Sequence, residues 1–348
     1  MSDVNVPDRA RGFGRLGTAA AWISAAACLP YLALKVAWTL GMPVGIADRS
    51  LLDDPAWVAG NALMGVIQLA GLLLVLGLTR PWARRVPAWL LLFPVWMATG
   101  MLFQVVVGAV LLGLFSPMSK ATSEGAGGIE PWVYAVVYSA FAVQGVALAL
   151  AFGCHVRARW GRLLGERTGD IGASGDRVMA WRDGHVAVMA QVVAGAAVVV
   201  VAVFAYWAGG GSLGLSEVGT NASRPLQVSR GAGAAVAVVG LLGLAGRWGY
   251  QTRFWLPVAL TWVGSGALFA FDGFTLVINK LFLVFGADTS EPGWSLFDTA
   301  LVIKAVIGVS AAVVGALAVT AATREAKRPR APRRHAARPL HVTPQRPL

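Results

Sequence analysis

Charge is scarce in this sequence. Only 13% of its 348 residues are Asp, Glu, Lys or Arg, where a soluble domain carries about a quarter. Acids are scarcer than bases, 17 against 29, and there are four histidines and two cysteines. So few cysteines exclude a disulfide-stapled fold, and Cys28 and Cys154 fall at different depths in the topology derived below, so they are not expected to pair. Several catalytic signatures are missing as well: there is no Walker loop, dinucleotide fingerprint, paired-cysteine motif or HExxH. His155 and His185 flank the central loop and His335 and His341 lie near the C-terminus, none with metal-ligand spacing to a second ligand. What is abundant is apolar: 57% of the residues are hydrophobic, mean hydropathy is +0.65, and there are 42 glycines. That composition excludes an ordinary cytosolic enzyme and a disordered chain, and it is that of a polytopic membrane protein, in whose helices glycine is frequent.

About 20 apolar residues cross a hydrocarbon core of roughly 30 Å. Eight stretches approach that length, at 16–40, 57–79, 88–115, 133–154, 186–208, 231–247, 255–280 and 296–321. The sixth is the shortest, bounded by Arg230 and Arg247, which are expected to snorkel to opposite interfaces. Cys28 follows small residues (ISAAAC), as a lipoprotein cleavage site would, but the next ten residues, LPYLALKVAW, stay apolar. An uncleaved first span is therefore expected.

Basic residues set the orientation. With the N-terminus inside, 22 of the 29 fall on the cytoplasmic side, four outside (Arg49, Lys120, Arg224 and Arg230) and three within spans (Lys35, Lys280 and Lys304). Both termini are thus expected in the cytoplasm. The net charge of +12 then follows from insertion rules and calls for no nucleic acid. Nine of the fourteen tryptophans fall at span ends, Trp38, Trp57, Trp132, Trp207 and Trp294 outside and Trp82, Trp89, Trp248 and Trp255 inside. They form the aromatic belts that flank a bilayer core.

The second half repeats the first at nearly constant spacing. Trp89, Trp96, Gly100 and Leu102 recur 166 residues on as Trp255, Trp262, Gly266 and Leu268. Trp38, Gly41 and Gly45 recur 169 on as Trp207, Gly210 and Gly214, and Glu130-Pro131 recurs 161 on as Glu291-Pro292. The changes in spacing fall in loops, where insertions are tolerated. Four spans per half is an even number, so the halves share one orientation. The expected fold is an all-α membrane protein with eight transmembrane helices in two parallel four-helix repeats, an arrangement known in some transporters. Its divisions are a cytoplasmic N-terminus (1–15), a first repeat (16–156), a cytoplasmic linker (157–185), a second repeat (186–322) and a basic tail (323–348). The tail holds five prolines and eight basic residues from Arg324 on. It reads as disordered, serving as a topology anchor or touching anionic lipid headgroups of the bilayer.

The first span with its outer loop (LPYLALKVAWTLGMPVGIADRSLLDD) and the second inner loop (LTRPWARRVPAWLLLFP) resemble segments of multi-pass membrane proteins of high-GC actinobacteria. That family has no assigned substrate, cofactor or catalytic residues. The resemblance implies an actinobacterial plasma-membrane protein and carries no site over to this chain.

Ionisable residues inside spans are the natural functional candidates, since each costs about 2.5–3.5 kcal/mol at a helix centre on insertion scales. Lys280 and Asp298 lie near the outer interface, where water is in reach, and Asp298 suits the first turn of its helix. Lys35 lies roughly 8 Å from the outer end of its span, and Asp272 and Lys304 roughly 12 Å from theirs, at 1.5 Å per residue. Spans seven and eight are consecutive, so Asp272 and Lys304 are expected to meet at one depth, with Lys35 as a third member. Such a group is a structural pair pinning two helices, or it lines an outward-facing cavity for a substrate or proton. At the 166-residue spacing, Asp272 answers to Val106, so only one half carries the acid. Gln104, Gln144 and Gln191 need no more than interhelical hydrogen bonds.

The expected function is a multi-pass integral membrane protein without catalysis, cofactor or metal. The alternative is a small-molecule or ion transporter using Asp272 and Lys304, and an enzyme on a lipid-soluble substrate ranks third.

Overall fold

In lipid every backbone polar group must be satisfied within the chain, which favours uninterrupted helices for apolar runs of this length. The computed structural model describes residues 8–78, 88–115, 128–168, 184–214, 224–249, 251–284 and 296–327. Over these the chain forms α1 (Asp8–Thr39), α2 (Pro55–Leu78), α3 (Ala88–Phe115), α4 (Pro131–Gly165), α5 (His185–Ala208), α6 (Arg224–Leu244), α7 (Trp255–Val284) and α8 (Leu296–Lys327), with a short 3-10 turn at Arg49–Asp53. No strand occurs among the described residues, only isolated bridges. Among the described residues, six segments are long and apolar enough to cross a bilayer: Gly14–Thr39, Pro55–Gly77, Pro131–Arg157, His185–Ala208, Arg224–Leu244 and Phe297–Arg324. α3 and α7 carry shorter apolar stretches, Leu92–Gly108 and Trp255–Ala270. The outward faces are apolar too, with Val66, Val146, Val192 and Val199 all more than 60% exposed. In water such faces would be an aggregation liability; against acyl chains they are at home.

Two expected boundaries move. α4 runs on to Gly165 and takes in residues 157–165 of the expected linker, because Leu163 and Leu164 are buried against Leu244, Phe254 and Ala318. α6 starts at Arg224, two turns before the expected residue 231. Arg230 therefore does not snorkel to an interface; it is buried within the helix packing.

α1 and α5 end alike. In α1 the Gly41 N–H donates to Trp38 O (3.2 Å) and Met42 N–H to Ala37 O (2.8 Å). In α5 Gly210 N–H donates to Trp207 O (3.0 Å) and Gly211 N–H to Tyr206 O (3.0 Å). This is the Schellman pattern, which needs a left-handed residue just past the helix; φ is 75° at Gly41 and 100° at Gly210. The indoles then cap the turns identically, Trp38 Nε1 donating to Val44 O (2.8 Å) and Trp207 Nε1 to Leu213 O (3.0 Å).

Helices α5 to α8 form one bundle in which α6 packs on α5 and α7, and α7 on α8. Small residues allow backbone-close crossings: a Cβ on Gly240 would stand 2.3 Å from Thr261 N, and one on Gly264 2.2 Å from Ala237 N. In the first half α1 packs on α2 and α4, and α3 on α4. The halves meet chiefly through α3 on α7, where Gly100 and Gly266 face each other and a Cβ on Gly100 would lie 2.1 Å from the Gly266 carbonyl carbon. A second tie joins α4 to the turn before α7, Thr168 N–H donating to Thr252 O (2.8 Å) and Phe254 N–H to Glu166 O (2.9 Å).

Outside the helices, Asp48 caps the Arg49–Asp53 turn by accepting from Ser50 N (3.0 Å) and Oγ (2.7 Å). Those bonds hold its carboxyl below the ordinary range.

Candidate functional site

The crossing of α7 and α8 is set by small residues on both sides of the charges. Gly273 beside Asp272 lies against Ala305 beside Lys304, and Gly308 lies against the backbone of Ser265. This close approach brings Lys304 Nζ onto Asp272 Oδ2 as a direct ion pair. α6, packed as tightly on the other side of α7, adds a second cation. Arg230 Nε and Nη2 reach Asp272 Oδ1 at 3.0 and 2.7 Å, and Nε reaches Oδ2 at 3.2 Å. One carboxylate thus joins three helices. Lys304 is 0%, Asp272 2% and Arg230 7% exposed, which leaves these charges to one another rather than to water.

The walls of the cluster are aromatic and aliphatic. Phe204 of α5 lies under both cations, its centroid 6.0 Å from Arg230 Cζ and 5.5 Å from Lys304 Nζ, and Phe297 lies 5.6 Å from Arg230 Cζ. Ring faces carry negative potential and stabilise desolvated cations by about 2 kcal/mol. Trp207, Ala234, Leu268 and Leu301 complete the enclosing core. One turn before Arg230, Gln227 accepts from Arg230 Nη1 through Oε1 (3.4 Å), and its buried Nε2 has no hydrogen-bond partner.

Lys35 does not reach this group. It sits in the first half, donating to Asn61 Oδ1 (2.6 Å) over the rings of Tyr31 (4.8 Å) and Trp38 (4.7 Å). The third member of the cluster is Arg230, expected from the sequence at the outer interface. Yet the two places correspond. At the 169-residue spacing that relates Trp38 to Trp207, Lys35 answers to Phe204 and Asn61 to Arg230. Each of these two pairs thus contains one cation, Lys35 in the first and Arg230 in the second. Asp298 occupies the first turn of α8, and the Lys280 side chain lies outside the described residues.

The glutamines tie helices together. Gln104 of α3 donates to Ala267 O (3.1 Å) and accepts from Ser229 Oγ (2.6 Å), joining α3, α7 and α6. Gln68 Nε2 donates to Gln144 Oε1 (3.4 Å), and Arg247 Nη2 to Gln191 Oε1 (2.6 Å). Cys28 and Cys154 are free thiols. Among the described residues no group of three or more His, Cys, Asp or Glu side chains could hold a metal. A shallow open depression at Gly14, Arg15, Thr18 and Trp22 includes none of the cluster's residues.

Compared with known proteins, the chain matches no family model, no curated protein and no solved structure.

Proposed function

We propose that the chain is a non-catalytic integral membrane protein of eight spans, built from two four-helix units of one orientation, with both termini in the cytoplasm of an actinobacterial cell. The Arg230, Asp272 and Lys304 cluster is then a structural pin for the second unit. The observation that carries this reading is that both oxygens of the Asp272 carboxylate are engaged by cations of the protein itself, against an aromatic and aliphatic core. A substrate or proton site would present that carboxylate to a water-filled path.

Two further observations support the duplicated architecture. The matched caps at Trp38 and Trp207 are one. The other is the contact of Gly100 with Gly266, equivalent positions that meet each other, as they must beside a twofold axis. One observation favours the rival transporter reading: two cations on one carboxylate leave a positive charge within the membrane.

Topology is tested by labelling intact cells with an impermeant maleimide, in a background lacking Cys28 and Cys154. Ser50→Cys and Ser212→Cys should react at once, and Ser2→Cys and Thr252→Cys only after permeabilisation; the reverse pattern overturns the orientation. The role of the cluster is tested by replacing it with Arg230→Gln, Asp272→Asn and Lys304→Met together. If this variant folds and restores wild-type behaviour to a deletion strain, the charges are structural. A folded variant that restores none of it supports transport.

A further inference from the structure

Two cations share one carboxylate in the cluster, and no other acid among the described residues lies within ion-pair distance of Arg230 or Lys304. The ring faces of Phe204 and Phe297 ease that excess but carry no counter-charge. The donors near it are also incompletely used. A guanidinium has five N–H groups and an ammonium three. Arg230 directs Nε and Nη2 at Asp272 and one Nη1 hydrogen at Gln227, and Lys304 directs one hydrogen at Asp272. Two guanidinium and two ammonium hydrogens are left over.

Gln227 Nε2 is a second, independent sign. It is buried and without a partner, in a setting where an unsatisfied donor is costly. Its carbonyl oxygen accepts from Arg230 Nη1, so the amide nitrogen, bonded to the same carbon, lies near the guanidinium. Flipping the amide would set NH2 against an N–H donor, so the orientation follows from the arginine. An oxyanion, with more than one accepting oxygen, suits neighbouring donors of a guanidinium and an amide.

We propose that Arg230 and Gln227, with the excess charge of Lys304 behind them, form a binding site for a singly charged oxyanion, a carboxylate or a phosphodiester, that completes the charge balance of the cluster. The anion comes either from solution or from a lipid headgroup, which offer the same oxygens.

The test is the melting temperature of the full-length protein in maltoside detergent. Sodium acetate, sodium phosphate or phosphatidylglycerol is titrated against sodium chloride at matched ionic strength. A saturable rise of about 2–4 °C is expected in the wild type. It should vanish in Gln227→Leu, which removes the unpartnered donor, and in Lys304→Met, which removes the excess charge. A rise with acetate or phosphate assigns a soluble ligand, and a rise with phosphatidylglycerol alone assigns a headgroup. Equilibrium dialysis of the wild type against labelled acetate and phosphate, with native mass spectrometry for retained lipid, reads binding directly. No binding and no rise, or a rise undiminished in both variants because the anion sits on other basic residues, overturns the proposal.

Discussion

Removing Asp272 and removing Lys304 break the same ion pair, yet the two changes should differ widely in cost. Asp272→Asn leaves two buried cations facing each other without a carboxylate, and deleting one partner of a buried pair costs about 3–5 kcal/mol. Lys304→Met keeps the volume, packs an apolar side chain against Phe204, and leaves Asp272 held by Arg230 at 2.7–3.2 Å. The remaining pair is neutral. Replacing a buried ion by an apolar group of similar size is often neutral or stabilising, so the expected cost lies within about 1 kcal/mol of zero. A gap of about 3 kcal/mol is roughly a hundredfold in the folding equilibrium. It is read by unfolding the purified protein in mixed micelles of rising SDS fraction, followed by tryptophan fluorescence, for the wild type and each variant. A Lys304→Met protein as unstable as Asp272→Asn, or less stable, refutes the assignment of Arg230 as the main partner of the carboxylate.

Other substitutions test the packing and the repeat. Gly100→Ala drives a Cβ into the Gly266 backbone and should cost about 1–3 kcal/mol, whereas Gly195→Ala, with no atom within 4 Å of its new Cβ, should leave the melting temperature unchanged or raised. Comparable losses at both would remove the tight α3 to α7 crossing from the account. Trp38→Phe and Trp207→Phe each delete one indole bond to a turn carbonyl and should lower stability by similar amounts, about 0.5–1.5 kcal/mol each, measured in the same micelles; a large cost at one site alone counts against equivalent caps.

The Asp272 and Lys304 pair was legible because consecutive helices run antiparallel as neighbours, and equal depth then decides which side chains meet. Arg230 was not. An arginine at the edge of an apolar run reads as an interface marker, and the positive-inside count treats it so, until a buried acid on another helix supplies its partner. The signal lay one turn away: Gln227 and Arg230 share a helix face, and polar residues three apart have no reason to begin a span unless that face is buried in protein. A charge within a span does not say which helices surround it; α1 packs on α2 and α4, so Lys35 finds Asn61 rather than the Asp272 cluster. The extension of α4 was hidden by its arginines, which mark the end of a membrane segment without ending a helix.

The two halves are fastened both along the α3 to α7 crossing and at one end of it. At mid-length Gly100 and Gly266 bring backbone against backbone, and at the end where α4 meets the turn before α7 the chain bonds Glu166 and Thr168 to Thr252 and Phe254. A clasp at one end and a pivot at the middle remove most ways in which one unit can rock on the other. Gln104, one turn beyond Gly100 on α3, adds side-chain bonds to Ser229 and Ala267 on the same side of the seam. Away from that seam, the turns after α1 and α5 are each locked on their own helix by a left-handed glycine and an indole bond.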